Sequence, residues 1–141
     1  MRSVVPLIAV AAAALAGCSA PSPQATAMAN ARAQAKLSTL LAGKVPGHPQ
    51  ACLASYRAND MIVVDDYTIA FRDGTNRVWI NKPAGGCNLL SAGPYALVTR
   101  NTGSMGLCRG DIGQVVDTLS HAQVGSCVLS DFVPYMTPRR R

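Results

Sequence analysis

The stretch that decides the fold is "YTIAFRDGTNRVWIN", residues 67–81. Its first six residues alternate, with Tyr67, Ile69 and Phe71 on one face, which is the period of a β-strand. "DGTN" is a strong turn signal, and "RVWIN" then returns to strand character. Together with the β-branched run "MIVV" at residues 61–64, the stretch predicts a three-stranded antiparallel meander.

Further strand signals follow along the chain, separated by glycine- and proline-containing turns. "YALVTR" begins at residue 95, "GLC" at 106, "IGQVVD" at 112 and "SCVLSDFVPY" at 126, with "NTGS" as a turn at 101–104. About six or seven short strands at this spacing are typical of a small barrel or roll. The sequence therefore predicts an all-β domain, a small antiparallel barrel or roll.

The N-terminal residues have the organisation of a secretory signal peptide. Arg2 supplies a positive charge, the stretch from Val4 to Ala16 is almost wholly apolar, and small residues precede Cys18. A transmembrane helix is the alternative, but it needs about 20 apolar residues. The polar run "SAPSPQ", which starts at Ser19, ends this segment too early, so a cleaved signal is favoured.

Residues 15–18, "LAGC", resemble the lipobox of bacterial lipoproteins. The resemblance implies that the thiol of Cys18 takes a diacylglyceryl group, that cleavage removes residues 1–17, and that the new amine is acylated, for example with palmitate. Several acyl chains at about 0.8 kcal/mol per buried CH₂ hold a protein stably on a membrane. Ser19 is not the aspartate that commonly signals inner-membrane retention, so we expect an outer-membrane anchor facing the periplasm.

The mature chain divides into three parts by composition. Residues 18–49 form a lipidated tether rich in Ala, Gln, Ser and Pro, flexible at first and possibly part helical between about Thr26 and Gly43. We expect such a helix to pack weakly or to remain partly disordered. Residues 50–136 form the β domain, and residues 137–141 form a basic tail.

The cysteine count fits a lipoprotein with two disulfides. Cys18 is assigned to the lipid, and four cysteines remain for the β domain: Cys52, Cys87, Cys108 and Cys127. In a small exported domain, an even number of cysteines indicates a disulfide framework. Zinc is disfavoured because there is no CxxC pair and His48 and His121 are the only histidines. Of the three possible connectivities we favour Cys87–Cys108 with Cys52–Cys127, which would join the two ends of the domain.

An ordered set of short motifs resembles an uncharacterised family of small proteobacterial lipoproteins that is classed as a domain of unknown function. The motifs are "CL" at 52, "VDDYTIAF" at 64, "CNL" at 87, "LCRGD" at 107 and "CVLSDF" at 127. The resemblance covers about residues 52–135, and Ser130 stands where we expect glycine. It implies the anchor, the domain limits and the disulfides, and it implies no reaction or ligand.

Charge narrows the range of partners. The chain carries a formal net charge of +6. Its basic tail, Arg139, Arg140 and Arg141, would attract anionic lipid headgroups or other polyanions at about 1 kcal/mol per residue near an anionic surface. A solvated terminus without a partner is the alternative. Nucleic acid is not expected, because the chain lacks the aromatic stacking pattern of nucleic-acid modules.

Two aspartate groups are the candidates for chemistry or binding. Asp65 and Asp66 are adjacent carboxylates, but their position between two strand runs favours a role in the turn. Asp111 follows Arg109 and Gly110 and is a candidate for binding a cationic ligand or acting as a base, and Arg109 beside it is a candidate binding residue. A structural role for Asp111 in a tight glycine turn is favoured.

Other residue types contribute fewer candidates. His121, with Ser120 and Asp117 nearby, would need the geometry of a catalytic triad, and no GxSxG motif accompanies it. Trp79, on the strand face opposite Val78 and Ile80, and Tyr135 are candidates for a recognition surface. The chain contains no P-loop, GxGxxG or HExxH, so no cofactor and no metal are expected.

The sequence thus predicts a cell-envelope lipoprotein with a small periplasmic β domain that acts as a binding or structural module and is not an enzyme. Its expected partners are the membrane, through the N-terminal lipid, and another envelope protein or an anionic envelope component. The alternatives are an enzyme that uses Asp111 or His121, and an enzyme-inhibitor lipoprotein. Some lysozyme inhibitors are small, disulfide-stapled β-barrel lipoproteins, but a cationic protein is a poor electrostatic match for a cationic lysozyme.

Overall fold

The computed structural model describes residues 22–100 and 106–138. Within them, one helix precedes ten strands in antiparallel sheets, which form a sandwich-like roll and not a closed barrel. This confirms the predicted all-β roll with a partly helical N-terminal segment. The elements are α1 (Pro23–Leu41), β1 (Val45–Pro46), β2 (Cys52–Leu53), β3 (Met61–Asp65), β4 (Thr68–Asp73), β5 (Arg77–Asn81), β6 (Tyr95–Thr99), β7 (Leu107–Cys108), β8 (Ile112–Asp117), β9 (Gln123–Val128) and β10 (Phe132–Met136).

The strands form two sheets and a ribbon. The large sheet has the order β1-β10-β5-β4-β3, the small sheet has the order β6-β8-β9, and the ribbon pairs β2 with β7. The meander predicted from residues 61–81 is the β3-β4-β5 part of the large sheet, and Gly74 in its second turn has φ +68°. The last predicted segment divides at Leu129, since β9 stays in the small sheet and β10 joins β5 and β1 in the large one.

The main core lies between the inner face of the large sheet and the small sheet with the ribbon. Phe71 and Phe132 meet there with their ring centroids 5.8 Å apart, and both are essentially inaccessible to solvent. Trp79 and Leu53 are buried beside them. Each such side chain contributes roughly 1.5–3 kcal/mol through removal from water, so this contact is the main stabilising feature of the roll.

Helix α1 covers the outer face of the large sheet. Ser22 caps its first turn, since the Ser22 Oγ accepts a hydrogen bond from the Ala25 amide at 3.2 Å, and Pro23 suits the first helical position. Ala33 is buried against the sheet, and Lys36 Nζ donates to the Val63 carbonyl at 2.6 Å. The helix begins three residues before the predicted Thr26 and ends at Leu41. It packs on the sheet only through its C-terminal half, where Ala33 is its single buried residue.

The paired structure begins before residue 50, the predicted start of the β domain. Val45 pairs with Met136 and Pro46 with Tyr135, which makes β1 an edge strand of the large sheet. The pairing depends on β10, at the other end of the chain, and therefore has no local signal. In the part of the chain described here, no helix is long and apolar enough to span a membrane.

Both disulfides are present, but the favoured pairing was wrong. The bridges are Cys52–Cys108 and Cys87–Cys127, not Cys87–Cys108 and Cys52–Cys127. Cys52 and Cys108 are register partners across the ribbon, and Cys87 enters the core opposite β9. Loop length cannot choose between pairings, because it sets only the entropy of the unfolded chain; the strand register decides which thiols meet. The bridges close loops of 56 and 40 residues, each worth about 4 kcal/mol in the chain-entropy model.

Candidate functional site

Two of the predicted sites lie outside the described residues. These are the lipidation site, Cys18, and the basic tail, Arg139, Arg140 and Arg141. The predicted turn at 101–104 also lies outside them. The remaining candidates are all described.

Asp111 closes the turn that follows β7. Its Oδ2 accepts a hydrogen bond from the Cys108 amide at 2.7 Å, and its own amide donates to the Cys108 carbonyl at 3.1 Å. Gly110, with φ +92°, allows the chain to reverse between them. The carboxylate is therefore engaged within the turn, which agrees with the structural role favoured from the sequence.

Arg109 points away from that turn and pairs with another loop. Its Nη1 donates to both carboxylate oxygens of Asp131, at 3.0 and 3.1 Å. The Arg109 side chain is 62% exposed, and an exposed ion pair of this kind contributes little to stability. Arg109 is accessible for binding, but the structure does not bring it together with Asp111 in one site.

Trp79 does not belong to a recognition surface, so that prediction is wrong. Its side chain is 2% exposed and lies in the main core. The face opposite Val78 and Ile80 is the inner face of the roll, because helix α1 covers the face that carries Val78 and Ile80. Tyr135 is half-buried and packs on that helix-covered face.

The carboxylates of Asp65 and Asp66 both accept hydrogen bonds from backbone amides, as expected of turn residues. The partner of Asp65 is close in the sequence, whereas the partners of Asp66 are distant. Asp65 Oδ1 accepts from the Tyr67 amide at 2.7 Å, within the turn itself. Asp66 accepts from the Leu89 amide at 3.1 Å and from the amide and hydroxyl of Ser91 at 2.8 and 2.7 Å. Asp66 thereby fixes the loop that carries Cys87. The sequence alone gives no signal for this long-range contact.

His121 lies in the turn between β8 and β9 with a left-handed backbone, φ +58°. In that turn the Asp117 Oδ1 accepts from the amides of Leu119 and Ser120 at 2.7 and 3.0 Å. These bonds, the one from Ser120 first, hold the pKa of Asp117 below its ordinary value, and His121 adds a smaller effect in the same direction. Among the described residues, no hydrogen bond joins the His121 side chain to Asp117 or Ser120. The turn therefore does not have the geometry of a catalytic triad.

The structure places a cleft of about 780 Å³ at one end of the large sheet. Its floor is a row of register partners across four strands, namely Asp73, Arg77, Met136 and Val45. Pro138 also lines it. The next row on the same face of the sheet holds Phe71 and Trp79, which the small sheet and ribbon cover. The cleft is thus the part of the inner face that extends past the covered core.

Two arginines share the carboxylate of Asp73; Asp73 and Arg77 line this cleft, whereas Arg57 is not one of its lining residues. Arg77 Nη1 donates to Asp73 Oδ2 at 3.2 Å, and Arg57 Nε lies 3.4 Å from the same oxygen without the alignment of a hydrogen bond. The guanidinium carbons of Arg57 and Arg77 lie 5.6 and 5.9 Å from the centre of the Trp79 ring. We call these four residues, Arg57, Asp73, Arg77 and Trp79, the arginine cluster.

The sequence indicates the contact between two members of this cluster, Asp73 and Arg77. Asp73 and Arg77 flank a "DG" turn four residues apart, which places them opposite each other in a hairpin. Arg57 comes from a short 3₁₀ turn, Ser55–Arg57, that precedes β3, and no local pattern connects it to the hairpin. Within residues 22–100 and 106–138, no three His, Cys, Asp or Glu side chains gather into a potential metal site.

Comparisons with known protein families, with curated proteins and with solved structures find no match to this chain. The similarity to small proteobacterial lipoproteins therefore stays a prediction. The geometry of the cleft and the pattern of the N-terminal residues are what bear on function.

Proposed function

We propose that the chain is a cell-envelope lipoprotein, anchored through Cys18 to the outer membrane on its periplasmic side, and that its β roll is a binding module and not an enzyme. The observation that carries the binding role is the cleft beside the arginine cluster. Its volume of about 780 Å³ falls within the range of roughly 300–1,000 Å³ that is usual for ligand pockets. Its floor combines exposed apolar side chains, Val45 and Met136, with the charged pair Asp73 and Arg77.

The position of helix α1 supports the anchor. Only four residues separate Cys18 from Pro23, the first residue of the helix, and they reach at most roughly 17 Å. The C-terminal half of the 19-residue helix packs on the large sheet, which leaves the N-terminal half, roughly 14 Å long, free to act as a spacer. The exposed N-terminal half then acts as a rigid spacer, so that the roll is carried at a defined distance from the lipid.

Lipid labelling in a bacterial host tests the anchor. We expect palmitate to label the full-length protein and expect Cys18→Ser to abolish the label, because the thiol is the attachment point. Ser19→Ala is the matched control, since it leaves the cysteine in place and should stay labelled. Persistent labelling of Cys18→Ser would overturn the anchor.

Site-specific photocross-linking in intact cells tests the binding role. A photoreactive amino acid at Asn76, on the rim of the cleft, should capture an adduct. The control position is Leu119, which is 80% exposed in the turn between β8 and β9, at a site distinct from the cleft lining. No adduct from Asn76, or equal adducts from both positions, would contradict a binding role for the cleft.

The enzyme alternative with Asp111 or His121 has less support from the geometry. The Asp111 carboxylate is engaged by the Cys108 amide, and His121 lies in an exposed turn whose aspartate is bonded to backbone. Replacement of either residue by Ala should leave the cross-link from Asn76 unchanged. Loss of that cross-link in a variant of unchanged stability would favour a functional role for the residue replaced.

A further inference from the structure

We propose that the cleft binds a phosphate group carried on an apolar substituent, which is the chemistry of a phospholipid headgroup with the start of its acyl chains. This inference rests on the proposed binding function and names its ligand class. It is argued from the charge of the arginine cluster, from its hydrogen-bond donors and from the apolar side chains on the floor of the cleft.

The charge of the arginine cluster is unbalanced. Two other arginines among the described residues each have a carboxylate of their own: Arg72 pairs with Asp60, and Arg109 pairs with Asp131. In the cluster, by contrast, the two guanidinium groups of Arg57 and Arg77 contact the single carboxylate of Asp73. The cluster therefore keeps one formal positive charge beside an open cleft, which is the condition for attracting an anion.

The two guanidinium groups are also held in place before any ligand arrives. Both are stacked near the Trp79 ring, and Arg57 lies 5.1 Å from the Tyr56 ring as well. Their side chains are only 28% and 34% exposed. A partly buried, stacked guanidinium loses little further freedom when it binds an anion, and water screens its charge less than that of a free surface arginine.

The hydrogen-bonding groups of the cluster are mostly donors. Within the described residues, three buried nitrogens have no acceptor, namely Arg57 Nε, Arg77 Nε and Trp79 Nε1. These atoms are buried, so a ligand in the cleft would meet the terminal nitrogens of Arg77, which is a lining residue, while Arg57 contributes its charge from beside Asp73. The surplus of donors over acceptors favours a ligand that only accepts, and planar guanidinium groups match the oxygens of phosphate in a bidentate manner.

The apolar side chains on the floor of the cleft favour a lipid phosphate over free phosphate. Val45 and Met136 are 51% and 38% exposed, although both lie on the floor of the cleft beside Arg77. Removing such side chains from water is favourable, and a free inorganic anion would leave them exposed to solvent. The exposed apolar part of the cleft therefore favours a phosphate that carries an apolar substituent.

A fluorescence titration tests the proposal, because Trp79 is the only tryptophan in the chain and lies in the cluster. The protein is the full-length chain in a non-ionic detergent. The probes are dihexanoyl phosphatidic acid, inorganic phosphate and dihexanoylglycerol, which carry the phosphate with acyl chains, the phosphate alone and the acyl chains alone. We expect a saturable change with the first, at least tenfold weaker binding of the second, and no saturable change with the third.

Three variants locate the site. Arg77→Gln should weaken binding of the phosphatidic acid about tenfold or more, as expected for loss of a hydrogen bond to a charged group. Arg57→Gln should also weaken it, by a smaller factor, because it removes the surplus positive charge beside Asp73. Arg72→Gln is the matched control on the opposite face of β4, and it should bind within about twofold of wild type because an exposed ion pair contributes little. Asp73→Asn should tighten binding, since it removes the competing carboxylate; a merely structural cluster would show no gain.

Equal binding by wild type and both arginine variants, checked to be folded by circular dichroism, would overturn the site. Equal affinity for inorganic phosphate and the phosphatidic acid would overturn the lipid assignment, as would saturable binding of dihexanoylglycerol. A failed titration together with a cross-link from Asn76 would remove only the ligand class. Failure of both experiments would remove the binding module itself.

Discussion

The two sheets of this roll are built from similar strands but are covered differently. In the large sheet, four consecutive residues of β4, Thr68–Phe71, are buried, because the small sheet covers one face and helix α1 covers the other. In the small sheet, β8 alternates in the usual way, with Val115 buried and Ile112 61% exposed. Strand periodicity therefore shows which side chains share a face, whereas the packing partner decides whether that face is buried.

The small sheet also depends more on covalent attachment. Its outer face leaves Val98, Val124 and Val128 exposed to solvent by roughly two-fifths each. Its inner face is joined to the rest of the core by packing around Val115 and Leu97 and by the Cys87–Cys127 bridge. The large sheet has two packed faces and does not depend on a bridge of its own. We expect the two sheets to differ in stability for this reason.

Removal of the Cys87–Cys127 bridge should have the largest effect on this comparison. The double variant Cys87→Ala with Cys127→Ala should lose about 4 kcal/mol of unfolding free energy, because its loop of 40 residues is no longer closed in the unfolded chain. Hydrogen exchange by mass spectrometry should show β6, β8 and β9 losing protection before β4 and β5. Uniform loss across both sheets would show that the sheets unfold as one unit.

A matched pair of isoleucines tests the difference in covering directly. Replacement of Ile80 by Ala should lower the free energy of unfolding by about 2–4 kcal/mol, because Ile80 is only 4% exposed beneath the helix and the change leaves a cavity. Replacement of Ile112 by Ala, on the uncovered face of the small sheet, should lower the free energy of unfolding by no more than about 0.5 kcal/mol. Urea unfolding measures both. Equal losses would mean that the helix does not bury the outer face of the large sheet in solution.

The smallest expected effect is a pH dependence confined to the small sheet. The pKa of Asp117 is lowered in the folded state, first by the hydrogen bond from the Ser120 amide. Its contribution is therefore present above the ordinary aspartate pKa of 3.8 and is lost as the pH falls through the lower, folded value. Amide exchange at Leu119 and Ser120, followed by NMR, should accelerate only in that acid range.

Asp117→Asn is the control for this effect, because the amide side chain still offers an acceptor but does not titrate. The variant should show no acid-induced change at Leu119 and Ser120 beyond the intrinsic exchange rate. An identical acid response in wild type and variant would assign the effect to another group.

Local pattern predicted much of the fold correctly. The β3-β4-β5 meander, the bounds of β5 and β8, and the presence of two disulfides were all deduced from strand periodicity, turn residues and the cysteine count. The same information did not give the disulfide pairing. Cys52 finds Cys108 only because β2 pairs with β7, and that register is set by the packing of the whole roll.

In the candidate site, too, some contacts are indicated by the local sequence and others form only in the folded chain. Trp79 was chosen from its strand face, but that face lies in the main core because helix α1 packs on the opposite face of the large sheet. Asp73 and Arg77 were within reach of sequence analysis as partners across a turn. Arg57, which makes the cluster asymmetric in charge, comes from a separate turn and joins the hairpin only in the folded chain.

The sequence by itself determined the strands, the turns and the number of cysteines available for bridges, because these follow from side-chain period and backbone preference over a few residues. It is also the source of the proposed anchor, since "LAGC" is a local motif. Tertiary structure alone decided which cysteines pair, which face of each strand is buried and how two arginines come to share Asp73. Those features join residues far apart in the chain, and only the packing of the two sheets and the helix brings them into contact.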